Sequence, residues 1–174
     1  MSTVQEDTAS GAADQPAEQA EIAFGTWIAA LISSAGELAS EALHVAQELD
    51  GPTADTLPRG QAGAYVALVG DEENLQFGVV AQPAVCDAVA RALLMLEPDE
   101  ELSGDDMADA LSEVANIVGG GVKRRMATRD PSLKLGLPVF ITGDVRPSAQ
   151  YQTAAVPVTM GGLAVHLLIL RHRR

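Results

Sequence analysis

The sequence predicts a mixed α/β (α+β) sandwich: a mainly antiparallel sheet with long helices packed on it. Two observations lead there. Three segments carry apolar residues at helical spacing, while five short apolar runs alternate like strands and are separated by turn residues. The elements follow in the order α, β-β, α-α, β-β-β, which fits strands running as neighbours under a layer of helices.

The chain begins with twenty residues of Ala, Gln, Ser and acid that lack Leu and aromatics. Residues 1–20 are therefore expected to be a disordered acidic tail, and residues 21–174 one domain. From Glu21 to Leu49, the residues Ile22, Trp27, Leu31, Leu38, Leu43 and Val45 recur at near-helical spacing and predict one long helix. "DGPTADTLPRG" breaks it. "AYVALVG" and "LQFGVVA" flank the turn signal "DEEN" and predict a hairpin. Pro83 suits the first turn of a second helix running to about Leu96. The acidic loop "EPDEELSG" follows, and a third helix starts near Gly104. "GLPVFITGD", "AQYQTAAVPVTM" and "LAVHLLIL" predict the last three strands, with "RHRR" as a short basic end.

Bulk composition excludes several functions. The chain has 174 residues and a formal net charge of −13, which disfavours nucleic acid and anionic membrane as partners. A basic or Mg²⁺-bearing surface remains compatible with it. The longest uncharged apolar stretch, "IAFGTWIAALI", falls well short of the roughly twenty residues that span a bilayer. The start lacks the basic and apolar regions of a signal peptide, so a cytoplasmic location is expected. The single cysteine, Cys86, makes no intrachain disulfide and fits a small core residue.

The third helix, in "DALSEVANIVGGGVKRRM", holds the candidate site. Ser103 is a good N-cap with Asp106 three residues on, and Asp105 and Asp106 suit the positive helix end. Met107, Leu111, Val114, Ala115 and Val118 make one apolar face. The other face carries Asp105, Asp109, Ser112, Glu113 and Asn116. Asp109, Glu113 and Asn116 form a single stripe, with Glu113 and Asn116 one turn apart, about 5–6 Å between Cβ atoms. Gly119, Gly120 and Gly121 each cost roughly 1 kcal/mol if helical. They either end the helix or leave its surface bare where another backbone approaches. Gly120 falls on the face of Asn116, where a missing side chain admits a partner. A polar stripe is by itself most often a solvated face.

Other chemistry is absent from the sequence. It contains no HExxH, no Cys/His pair and no GxSxG, and "GGG" lacks the Lys-Ser/Thr of a P-loop. His44 is expected on the surface of the first helix, His166 as a packed or edge residue of the last strand, and His172 in the basic end.

The pattern extends beyond the pair. Asp109, Glu113 and Asn116 are followed by Ile117-Val118-Gly119, and by Pro138 some twenty residues later in "LGLPVF". This resembles the CheC/CheX/FliY family of CheY-phosphate phosphatases, and the single-site layout resembles CheX most. The resemblance covers roughly residues 21–170. CheC-like members often carry the Glu/Asn pair twice; "PAVCDAVARALLML" has neither residue, and the first helix has no Glu-x-x-Asn, so one site per chain is expected.

The resemblance implies a substrate that is itself a protein, a CheY-like receiver domain phosphorylated on aspartate. That partner supplies Mg²⁺ and a lysine, and this chain brings no cofactor of its own. Asn116 would orient the attacking water and Glu113 would pair with the receiver's lysine. Asp109, Ser112 and Gly120 are expected at the partner contact, and Pro138 shapes the turn into a strand. The alternative is a non-catalytic receiver-binding module of the flagellar-switch type, which would not need Asn116. A homodimer is also expected, because "LAVHLLIL" is apolar enough to pair with a copy at a sheet edge.

Overall fold

A computed structural model gives the fold and describes residues 21–173; the expected acidic tail, residues 1–20, lies outside the described residues. Among the described residues, three helices, α1 (Phe24–Glu41), α2 (Pro83–Leu94) and α3 (Gly104–Met126), accompany seven strands. The strands are β1 (Gln47–Leu49), β2 (Ala62–Val69), β3 (Asn74–Ala81), β4 (Lys134–Leu135), β5 (Val139–Thr142), β6 (Tyr151–Met160) and β7 (Leu163–His172). They form one sheet in the order β1-β6-β7-β3-β2-β4, with β5 also pairing β2. All of its pairings are antiparallel. The mixed α/β architecture read from the sequence is thus the one the chain adopts.

The helices share one face of the sheet. Trp27, Leu31 and Leu38 of α1, Cys86 and Val89 of α2, and Leu111, Val114 and Val118 of α3 join Val66, Phe77, Val156, Leu167 and Ile169 in one core. Each fully buried Leu or Phe here contributes roughly 1.5–3 kcal/mol. The opposite face holds a smaller cluster of Tyr65, Val80, Ala155, Leu168 and Leu170, flanked by Leu57, Ile141 and Val145 from loop and edge. Cys86 is fully buried, its thiol donating to Ala62 O at 3.3 Å, and burial raises its pKa.

A buried ion pair ties the hairpin to the last strand. Arg171 of β7 meets Glu73 through Nε–Oε2 at 2.9 Å and Nη2–Oε1 at 2.5 Å, and its Nη1 donates to Ile22 O at 2.9 Å. The fork therefore also pins the segment that enters α1. Asp130, after α3, accepts from the backbone N–H of Ser132 at 2.9 Å, and the Ser132 hydroxyl in turn accepts from Asp71 N.

Three expectations are corrected. The first helix stops at Glu41 rather than Leu49, and Gln47–Leu49 is an edge strand. His44 adopts φ 56°, a left-handed turn that ends helical continuation. Leu43 and Val45 still turn inward, so burial rather than helix gave them their spacing. His44 therefore lies exposed in the connection, not on a helix. The second correction concerns β7, which is not a sheet edge: it lies between β6 and β3. Its apolar run reflects burial on both faces, since Leu167 and Ile169 face the helices and Leu168 and Leu170 the other cluster. The third is His172, which sits inside β7 and makes an edge-on ring contact with Tyr151, centroids 5.4 Å apart. A two-residue strand, β4, precedes Gly136, and Pro138 leads directly into β5, as expected.

Candidate functional site

The candidate site is the outer side of α3. The Ser103 hydroxyl accepts from Asp106 N at 3.0 Å and donates to the Asp106 carboxylate at 2.6 Å, a side-chain cap at the expected position. Asp105 and Asp106 fill the first turn, and Lys123, Arg124 and Arg125 the last, complementing the helix dipole at both ends. Ala110, Leu111, Val114, Ala115 and Val118 are buried against the sheet and the other helices. This inward stripe leaves Asp109 and Glu113 exposed, and Ser112, Asn116 and Gly120 half-buried.

The glycine run does not end the helix, which continues to Met126. A Cβ on Gly119 would stand 2.6 Å from Val66 Cγ1 and 2.9 Å from Leu135 Cδ1. One on Gly121 would stand 2.8 Å from Ser34 Cβ of α1. These two glycines let α3 settle onto β2 and α1. Gly120 differs: a Cβ there would meet only Arg124 Nη1, at 3.9 Å. Its bare surface opens outward, one turn beyond Asn116.

Below Gly121, α3 is fastened to α1. Arg125 donates to Glu37, to Ser34 Oγ at 3.1 Å and to Gly121 O at 3.2 Å, and Arg124 Nη2 lies 3.8 Å from Glu37 Oε2. The Arg125 hydrogen bond holds the Glu37 carboxyl below the usual range; desolvation opposes it, and the charges of Arg125 and then Arg124 add to the lowering. The Glu113 and Asn116 side chains, by contrast, take part in no hydrogen bond or ion pair among the described residues. Asn116 offers an acceptor and two donors, and Glu113 a carboxylate.

Beside the pair, a groove of about 590 Å³ opens between the end of α2 and the first turns of α3. Leu93, Leu94, Leu96 and Leu102 line it, and Asp109 and Glu113 form part of its wall. Sequence reasoning did not pick out this groove. Its signal was "LLMLEPDEEL", an apolar helix end running into an acidic loop.

Among the described residues no group of three or more His, Cys, Asp or Glu is placed to hold a metal ion. His166 lies on the sheet face away from the helices, in register with Val80 and Pro157, and its Nδ1 is buried without a partner among the described residues. Desolvation lowers its pKa, opposed by the charge of Asp50. Among those residues, no helix is long and apolar enough to cross a membrane.

Residues 62–159 match the family model for the chemotaxis phosphatase CheX. The chain belongs to the CheX family. Solved structures agree in fold. CheX from Vibrio vulnificus is similar over 84% of this chain and 99% of its own, with a TM-score of 0.71 at 15% identity. CheX from Desulfovibrio desulfuricans covers 83% and 98%, with a TM-score of 0.71 at 18% identity. The CheX–CheY–BeF3–Mg²⁺ complex from Borrelia burgdorferi covers 85% and 98%, with a TM-score of 0.67 at 19% identity. No curated protein sequence matches the chain.

Proposed function

We propose that this CheX-family chain accelerates hydrolysis of the aspartyl phosphate of a CheY-like receiver domain, with one Glu113/Asn116 site on α3. The observation that carries the reading is the pair itself: two side chains one turn apart on the outward face, with no partner among the described residues, beside the bare Gly120. Such a surface is arranged to enter a partner's site rather than to enclose a small molecule. The CheY complex of the Borrelia relative supports a receiver as that partner.

In the reaction, the water oxygen bonds to phosphorus and the bond from phosphorus to the aspartyl carboxylate oxygen breaks. The aspartate leaves as carboxylate, and both water protons end on the inorganic phosphate. Asn116 cannot take a proton; its carbonyl accepts from the water and its amide donates to a phosphoryl oxygen, so it holds the water in line. Glu113 pairs with the receiver's lysine and fixes the docking register. Phosphoryl transfer of this kind gains chiefly from positioning and charge stabilisation, so no strong base is needed. Mg²⁺ belongs to the receiver and supplies charge neutralisation there. Asp109, Ser112 and Gly120 surround the pair and meet the partner's surface. The site operates in the cytoplasm, where phosphorylated receivers occur.

The test is the lifetime of a phosphorylated receiver with Mg²⁺, with and without the chain. Wild type shortens the lifetime, while Asn116→Ala and Glu113→Ala do not. An unchanged lifetime with retained binding makes the chain a docking module instead. A second copy of the chain is a further proposed partner. The exposed edge at Leu137 (89% exposed) and Val139 supports it, and light scattering at micromolar concentration checks it.

A further inference from the structure

We infer that the groove between the end of α2 and the start of α3 is a second contact for the same receiver, taking an apolar side chain flanked by basic residues. The inference rests on the receiver-phosphatase reading of Glu113 and Asn116. The groove is continuous with that site, because Asp109 and Glu113 belong to its wall. A folded domain that presents a group to Asn116 stands over both carboxylates and so covers the groove.

The groove's chemistry describes its occupant. Its floor is leucine, and Glu101, Asp106, Asp109 and Glu113 surround it. An apolar projection ringed by Lys or Arg complements both features. The chain's own first twenty residues do not: they carry four acids, no base, and no Leu, Ile or aromatic residue.

Met95 is the independent observation. It ends α2 in the left-handed conformation, φ 53° and ψ 41°, and is 79% exposed. Helix ends of this kind favour glycine, which has no Cβ to strain. A methionine here gains little from the fold, yet holds a flexible thioether in solvent next in the chain to Leu94, which lines the groove. Its neighbour Leu94 is 43% exposed. Leu94 lines the groove itself, and Met95 follows it at the end of α2.

The experiment uses the full chain and a CheY-type receiver loaded with beryllofluoride and Mg²⁺. Affinity is measured by calorimetry, and turnover with the phosphorylated receiver. Met95→Gly and Leu94→Asp each weaken binding about tenfold, as loss of an interface anchor does. KM rises and kcat stays unchanged, since neither residue reaches the phosphoryl group. Met95→Gly keeps or raises the melting temperature, which separates a docking role from a structural one. If wild type binds and both variants bind equally well, the groove is not the contact. If wild type binds no loaded receiver, the phosphatase reading falls and takes this one with it. If a substitution abolishes self-association at unchanged receiver affinity, the groove belongs to a second copy and the inference is overturned.

Discussion

The two sides of α3 use the same residue type for opposite ends. Gly119 and Gly121 face inward, where Val66, Leu135 and Ser34 leave no room for a methyl group. Gly120, between them, faces a space that only Arg124 Nη1 approaches, at 3.9 Å from where a Cβ would stand. The inner pair is explained by packing density: a helix comes within contact of a sheet and of another helix only where side chains are absent. The outer glycine has no such internal reason, and it lies on the stripe that carries Asp109, Glu113 and Asn116. Stability accounts for one side of the helix; on the proposed receiver-phosphatase reading, an outside partner accounts for the other.

The strongest way to break the inner side is Gly119→Val. Its Cβ enters a site bounded at 2.6 and 2.9 Å, and the branched methyls have nowhere to go. Overpacking of this order costs about 3 kcal/mol, read as a lowered urea midpoint at constant m-value. A loss below about 1 kcal/mol shows that β2 yields to the helix and that the inner glycines are not packing devices. The outer side breaks differently. Asn116→Ala lowers the rate of receiver dephosphorylation on the order of 10²-fold, while its melting temperature stays within a degree or two of wild type. A large fall in stability instead gives Asn116 a structural role.

Gly120→Ala sharpens the contrast within the run. Alanine is favoured over glycine inside a helix by roughly 0.5–1 kcal/mol, and the new methyl meets only Arg124 Nη1 at 3.9 Å. The variant is therefore more stable than wild type by about that amount. It also binds the receiver several-fold more weakly, because the methyl fills the bare surface beside Asn116. Stability and affinity moving in opposite directions is the mark of an outward-facing glycine; both falling together assigns Gly120 to the fold.

The start and the inward stripe of α3 were legible in the sequence because capping and amphipathicity are local. Ser103, Asp106 and the Leu111–Val118 periodicity needed no knowledge of neighbours. The fate of the glycine run was not legible: whether it ended the helix depended on Val66 and Ser34, which lie far away in sequence. The α1 overrun had the same cause. Leu43 and Val45 are buried by tertiary contact, so their spacing imitated a helix that His44 had already ended. "LAVHLLIL" was read as an edge because apolar content does not reveal which strands flank it. The Glu113/Asn116 pair stood out through its pattern, while the groove beside it needed α2 and α3 brought side by side.

The smallest expected effect lies where the two sides of α3 meet, at the Glu37 pair with Arg125. The folded carboxyl has a lowered pKa, caused first by the Arg125 hydrogen bond. A group depressed in the folded state stabilises above its unfolded pKa, so this contribution is complete at neutral pH. It is lost as pH falls from about 4.5 through the lower folded value. Glu37 is half-exposed at 46% of its side chain, so solvent and salt screen the pair and the change is small. Glu37→Gln therefore approaches wild type as pH falls through the lowered folded pKa and lies slightly beneath it at neutral pH and low salt. The gap narrows as salt rises toward 1 M, where the screening length is about 3 Å. A gap that persists at high salt shows that Arg125 acts through its hydrogen bonds to Ser34 and Gly121, with Glu37 as the anchor that orients it, rather than through charge.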